Sequence, residues 1–376
     1  MSIVYRLVNC LRSTESLSSL STFKQSVNFI RKMSQSTESS ICTHSGNFHC
    51  DDVLACYLLK QLPEFKNSTI IRSRDDKVID SSDIVVDVGG VYDHRRKRYD
   101  HHQREFKHTL NSLDPRKPFK IKLSSAGLIY HHYGRRIISQ LLDLPVGDSG
   151  DSHDGEKLEI LFDKIYESFI LEVDAIDNGI DMYDGEPKYS IHSGLSSRVS
   201  YLEPAWNQEV NDEILYDRFL EAIKLVGSEF EDRVKYYGNA WYPPKLLVKE
   251  AILNRSSVHP SGAIIDLSSY GGIPWKEHLF TIEKELGIEG EVKFALFLSI
   301  EKNWRVCAVP TAFGSFVSRL PIHADYCGLR DEQLSQVSGI PGCIFVHTTG
   351  FIGGGNSKET CIALAEKTMN AEAKKE

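Results

Sequence analysis

The stretch ICTHSGNFHCDDVLACYLLKQLP, residues 41–63, decides how the chain is read. Its first three residues suit a short strand. DDVLACYLLKQL then reads as a helix, capped by Asp51 or Asp52 and stopped by Pro63. Between the two, residues 42–52 gather His44, His49, Asp51, Asp52 and two cysteines.

The same alternation continues outward. STIIRSR is a second strand, and DIVVDVGG is a β-branched run that meets a tight turn at Asp87 and a glycine pair. VYDHRRKRYDHHQREF is polar and rich in histidine, and the segments at 124–142 and 156–176 have helical periodicity. They are separated by DLPVGDSGDSHDG, a surface loop by composition. Short strands alternating with helices predict an α/β unit with a largely parallel sheet.

Residues 211–255 read as two helices broken at YPP, a connection to a second domain over 256–376. There the pattern becomes α+β. GAIIDLSS is a strand, WKEHLFTIEKEL a helix, and VKFALFLSIEKNWRVCAV a hairpin turning near Lys302 and Asn303. CIFVHTTG is another strand, FIGGGNS a glycine-rich loop, and KETCIALAEKTM a terminal helix. The first domain is expected over 41–210.

Composition narrows the function. A hydrophobic fraction of 41% and a charged fraction of 26% suit a globular protein, and no apolar run approaches a membrane span. A net charge of −8 argues against holding nucleic acid by a general cationic surface. The eight cysteines form no CxxC pair and predict a reducing compartment. Residues 1–40 carry Arg6, Arg12, Lys24, Arg31 and Lys32 against Glu15 and Glu38, with many serines, as a mitochondrial presequence would. The alternative is a disordered tail. Initiation at Met33 would give a second, nuclear or cytoplasmic form.

Four places put acids or histidines where a strand or helix ends: His44, His49 and Asp51; Asp87; Asp100, His101 and His102; and Asp174 with Asp177. The carboxyl ends of parallel strands line one crevice, so these groups can converge. Imidazoles mixed with carboxylates suit manganese, with magnesium the alternative. Six or seven ligands exceed one tetrahedral zinc. Two ions sharing a bridging carboxylate fit better, with Asp87 the candidate bridge, and two ions are the usual device for hydrolysing a phosphate ester.

The order HxxxxHxD, strand-end Asp, DHH, helix-end Asp resembles the DHH phosphoesterase superfamily. The longer strings THSGNFHCDDVLA, VYDHRRKRYDHHQ, EVDAIDNGI, WKEHL, GLRDEQLSQVSGIPGCIFVH and GFIGGG resemble the Myg (melanocyte proliferating gene) exonuclease family. The resemblance implies a DHH-type parallel-sheet catalytic domain followed by a smaller α+β domain, and 3′-to-5′ exonuclease action on single-stranded RNA. It also implies mitochondrial and nuclear pools. It makes His44, His49, Asp51, Asp87, His101 and either Asp174 or Asp177 metal ligands. Asp100 would orient His101, and His102 would face the substrate phosphate. The common superfamily pattern has Asp where this chain has His49, one residue closer to the first His.

For the substrate, the basic turn at Arg95 and Arg96 and the glycines Gly353, Gly354 and Gly355 are candidates, with Lys276, His278, Arg319 and Lys358 chosen by resemblance and charge. Backbone amides of glycines can approach a phosphate closely. Two other readings use the same residues: a phosphatase or pyrophosphatase acting on a small phosphorylated molecule, and a metal-bearing interaction protein without activity. No protein partner and no membrane are expected.

Overall fold

β1 (Ser40–Thr43) lies between β2 (Thr69–Arg72) and β3 (Ile84–Val86) and is parallel to both. Its partners are set residue by residue, Ile41 opposite Ile70 and Ile84, and Cys42 opposite Ile71 and Val85. These side chains are buried, as befits a sheet covered on both faces. The structure, a computed structural model, describes residues 39–144 and 153–374. The expected presequence through residue 38, Met33 within it, and most of the loop DLPVGDSGDSHDG lie outside the described residues.

Beyond β3 the histidine-rich segment folds as a hairpin. β4 (Tyr92–Asp93) and β5 (Arg98–Tyr99) are antiparallel, with a 3-10 turn at His94–Arg96 between them. β5 pairs parallel with β3, completing the order β2-β1-β3-β5-β4. The chain thus packs a mostly parallel α/β sheet, as expected from the sequence. The helix Cys50–Lys60 follows β1, and it is buried from Cys50 to Leu59. Its cap is His49 rather than either aspartate. Asp52, in the first turn, reaches back to accept from the His49 N–H at 2.8 Å.

The chain divides into two units, residues 39–133 with 173–227 and residues 134–172 with 228–374. The second unit has its own sheet, in the order β6-β7-β8-β10-β9. Here β6 is Ile264–Asp266, β7 Phe294–Leu298, β8 Trp304–Ala308, β9 Cys343–Val346 and β10 Ile352–Gly355. Only the β6–β7 pair is parallel. Alternate residues feed opposite faces. Ile264, Phe294, Leu296 and Val306 pack with Cys361 and Leu364 of the helix Lys358–Glu372. Ile265, Ala295 and Cys307 pack with Ile252, Leu279 and Ile282.

FIGGGNS is therefore not a loop. Gly353, Gly354 and Gly355 form a buried strand, and a Cβ on Gly354 would lie 2.9 Å from both Arg305 Nη1 and a Phe345 ring carbon. Glycine stands there because neighbouring side chains cross the strand. The sequence reading also passed over the helix Asp331–Ser338.

Candidate metal centre

The parallel sheet ends its strands at one place, and there the acids and imidazoles converge. Asp87 follows β3 with a left-handed φ of 56°, a conformation that Asp tolerates better than most residues. Its N–H is bonded to Tyr99 O at 3.1 Å, and its Oδ1 accepts from Ser125 Oγ at 3.0 Å. The side chain is 1% exposed. So fixed, its Oδ2 stands 3.3 Å from His44 Nε2 and its Oδ1 3.3 Å from His101 Nε2. One carboxylate addresses two imidazoles with separate oxygens.

Around this axis His101 Nε2 lies 3.0 Å from Asp177 Oδ2 and 3.8 Å from Asp51 Oδ2. His44 Nε2 lies 3.5 Å from Asp52 Oδ2. Ligand atoms of His44, His49 and Asp87 lie within 4.8 Å of one another, as do those of Asp87, His101 and His102, of His49, Asp51 and Asp177, and of Asp51, Asp52 and Asp87. Of the expected ligands, only Asp174 stays away. It is fully buried and accepts from Ser124 N at 2.9 Å and Ser124 Oγ at 2.8 Å. Asp52, read from sequence as one of two alternative caps, joins the cluster as well: its Oδ2 faces His44 while its Oδ1 takes the His49 N–H. A reach-back acid at the third helical position and a ligand look alike in sequence.

Asp100 does not orient His101. Its Oδ1 accepts from the His102 backbone N–H at 3.0 Å and meets His102 Nδ1 at 2.8 Å, and its Oδ2 accepts from Gly90 N at 2.6 Å. The His102 side chain is 62% exposed, so Nε2 is left for solvent or ligand. Two cavities, about 580 Å³ and about 340 Å³, both border His49 and His102. The larger also borders Arg74, an exposed cation that the sequence reading missed. Its Nε donates to Ser45 O at 3.2 Å.

Local packing holds the loop. Arg72 Nη2 donates to Gly46 O at 2.7 Å, and its guanidinium lies 4.6 Å from the Phe219 ring centroid and 5.5 Å from that of Phe48. The Phe48 N–H donates to Glu203 Oε1 at 2.7 Å.

The electrostatics call for a cation. Burial first, then the charges of Asp87 and Asp177, push Asp51 well above the usual carboxylate range. Burial raises Asp52 to about 7 against the pull of His44. Burial works against ionised Asp87 too, but His101 and His44 outweigh it and hold that group low. Burial pulls His101 down, yet Asp177 and Asp87 lift it to about 9. His44 is raised in the same contest, by Asp87 and Asp52. Even so, neither oxygen of Asp51 and neither ring nitrogen of His101 has a partner in hydrogen-bonding geometry among the described residues. Buried polar atoms rarely go unpartnered. Nitrogen and carboxylate donors that face one another without hydrogen bonds fit divalent metal ions.

The remaining expected substrate residues are placed elsewhere. Arg95 and Arg96 sit exposed on the 3-10 turn of the hairpin, and neither borders the two cavities. His278 is 3% exposed, with Nε2 2.6 Å from Trp241 O, so it belongs to the core of the second unit. Arg319 is paired through both terminal nitrogens with Glu283 at 2.8 and 2.7 Å, a buried structural pair. Lys358 Nζ lies 2.5 Å from Asp266 Oδ2. Lys276 borders a cavity of the second unit.

Comparison with known proteins agrees with the sequence. The family model MYG1_exonuc, described as an uncharacterised protein family (UPF0160), matches residues 40–369. The MYG1 exonuclease of Homo sapiens is 48% identical over 330 residues, 88% of this chain and 85% of that protein. The MYG1 protein of Saccharomyces cerevisiae is 43% identical over 345 residues, 90% of this chain and 98% of that protein. Among solved structures, a pGpG-specific phosphodiesterase covers 89% of this chain and 99% of its own at 15% identity, but its TM-score of 0.25 is too low to carry an argument.

Proposed function

The chain belongs to the MYG1 exonuclease family, and from that premise we propose that it is a metal-dependent phosphodiesterase that removes nucleotides from the 3′ end of single-stranded RNA, with manganese its resident ion. The observation that carries this reading is the Asp87 carboxylate, set 3.3 Å from His44 Nε2 on one side and 3.3 Å from His101 Nε2 on the other. His44, His49 and Asp52 would hold one ion, His101, Asp51 and Asp177 the other, and Asp87 would bridge them.

Ions so held supply an activated water and neutralise charge on the phosphate. The chain's own groups do the rest. The turn at Asp87 and the Ser125 hydroxyl fix the bridge before any ligand arrives. Asp100 holds His102 by Nδ1 and raises its affinity for a proton, so that Nε2 can donate to a phosphate oxygen or to the departing 3′ oxygen. Arg74 adds a guanidinium whose planar donors match a phosphate. Space on both sides of His49 and His102 suits a diester, with chain on each side of the phosphorus.

The test incubates the protein with 5′-labelled single-stranded RNA and, separately, with pyrophosphate, in manganese, magnesium or chelator. The expected result is a manganese-dependent ladder shortening from the 3′ end, lost in His101→Ala. Turnover of pyrophosphate alone would overturn it. The basic, serine-rich composition of residues 1–40 supports a mitochondrial location, which fractionation of cells would check.

A further inference from the structure

The second unit contains a cavity of about 640 Å³, a size suited to a small ligand. Two π-helical turns, Tyr166–Ile170 and Tyr237–Trp241, line part of it. Such widened turns recur at functional sites. The last turn of the helix Asp212–Tyr236 and the first turn of the helix Lys276–Leu286 complete the wall.

Its floor is a closed network. The Lys164 side chain is 10% exposed, and its Nζ donates to Glu167 Oε2 at 3.0 Å and to Glu277 Oε1 at 2.5 Å. Glu277 Oε2 accepts from Trp241 Nε1 at 2.9 Å. The ammonium also lies 5.7 Å from the ring centroids of both Trp241 and Phe313. One ammonium holds two carboxylates, so the network keeps one net negative charge, which the two further cations of the lining, Arg233 and Lys276, outweigh.

Arg233 and Lys276 are different. Both border the cavity, and among the described residues neither has an ion-pair partner. The helix starting at Lys276 has no side-chain cap, so its first N–H groups add a further preference for an anion. Beside these cationic groups stand two exposed rings, Tyr236 at 46% and Phe313 at 61%. Unpaired cations next to exposed aromatic faces match a phosphate joined to a base, the repeating unit of a single-stranded nucleic acid.

We propose that this cavity holds one nucleotide of a single-stranded RNA, the phosphate at Arg233, Lys276 and the helix start, and the base against Tyr236 and Phe313. The identity of the substrate rests on the exonuclease reading; the site itself does not.

The test measures binding of a short fluorescent oligoadenylate to the whole chain in chelator, where nothing is hydrolysed, with adenosine monophosphate as competitor. Tyr236→Ala, Tyr236→Phe and Arg233→Ala alter exposed side chains and are compared with wild type. Tyr236→Ala should weaken binding on the order of tenfold, and Tyr236→Phe should restore it. Arg233→Ala should weaken binding and lower the salt slope by about one. Equal binding by all four proteins would overturn the site, even if the metal centre digests RNA. Tyr236-dependent binding by a protein that hydrolyses no RNA would uphold the site while the exonuclease reading fails. Adenosine monophosphate binding as tightly as the oligomer would overturn the RNA assignment in favour of a free nucleotide.

Discussion

Asp174 and Asp177, one helical turn apart, should answer opposite questions when substituted. Asp174 is fully buried and holds both the N–H and the hydroxyl of Ser124. Hydrogen bonds to a charged acceptor are each worth about 1.5–3 kcal/mol, so Asp174→Ala, which removes two, should cost the fold about 3–6 kcal/mol. At about 2–4 °C per kcal/mol for a unit of this size, the melting temperature in chelator should drop on the order of 10 °C. Asp177→Asn should act differently. It relieves Asp51 of one neighbouring charge but deprives His101 of its nearest carboxylate, and these oppose each other. In chelator the net change should stay within about 1 kcal/mol. With manganese at a hundredfold excess over its dissociation constant, wild type should gain about 2.7 kcal/mol from each of the two sites. If loss of the ligand weakens the Asp177 site about a hundredfold, the contribution of that site in Asp177→Asn shrinks to about 0.4 kcal/mol at the same concentration, while the other site keeps its own. Thermal melts of both variants, with chelator and with manganese, make the comparison. The assignment is refuted if Asp174→Ala melts like wild type in chelator and Asp177→Asn keeps the full manganese shift.

Three further outcomes are expected. Arg74→Ala should lower kcat/KM for RNA about tenfold, about 1.4 kcal/mol, and leave melting unchanged, because Arg74 is exposed; unchanged steady-state kinetics would remove it from the site. Gly227→Ala should destabilise although alanine is favoured in helices by about 1 kcal/mol, because its Cβ would overlap the Tyr57 ring; a urea midpoint at or above wild type would contradict this packing. His132 is lowered from 6.5 to about 3 by burial and by the nearby imidazoles of His131 and His94. Between those values the unfolded chain takes up a proton that the folded chain refuses, so the stability present above pH 6.5 declines as pH falls toward 3. Urea unfolding of His132→Gln across that window should show a shallower decline than wild type.

The sequence carried the parallel sheet well, because β1 to β3 are buried β-branched runs and strand ends in such a sheet must meet. The same rule brings His44, Asp51, Asp87 and His101 to one place. The sequence leaves Asp174 and Asp177 open, since residues three apart on a helix share a face. The resemblance pairs Asp100 with His101, but the residue two positions on curls back in an Asx-like turn, so Asp100 holds His102. GFIGGG carried turn chemistry in a strand whose glycines make room for Phe345 and Arg305. Arg74 was invisible because an exposed arginine after a strand has no pattern of its own. His278 and Arg319 rest on resemblance and sign of charge, and neither reveals burial.

The measurement closest to the central claim is a manganese titration of the metal-free protein that counts bound ions per chain while following cleavage of 5′-labelled RNA in the same sample. Two ions per chain are expected, with shortening from the 3′ end appearing as the second is loaded, and both lost in Asp87→Asn. A single saturable ion, with RNA left intact, would contradict the account.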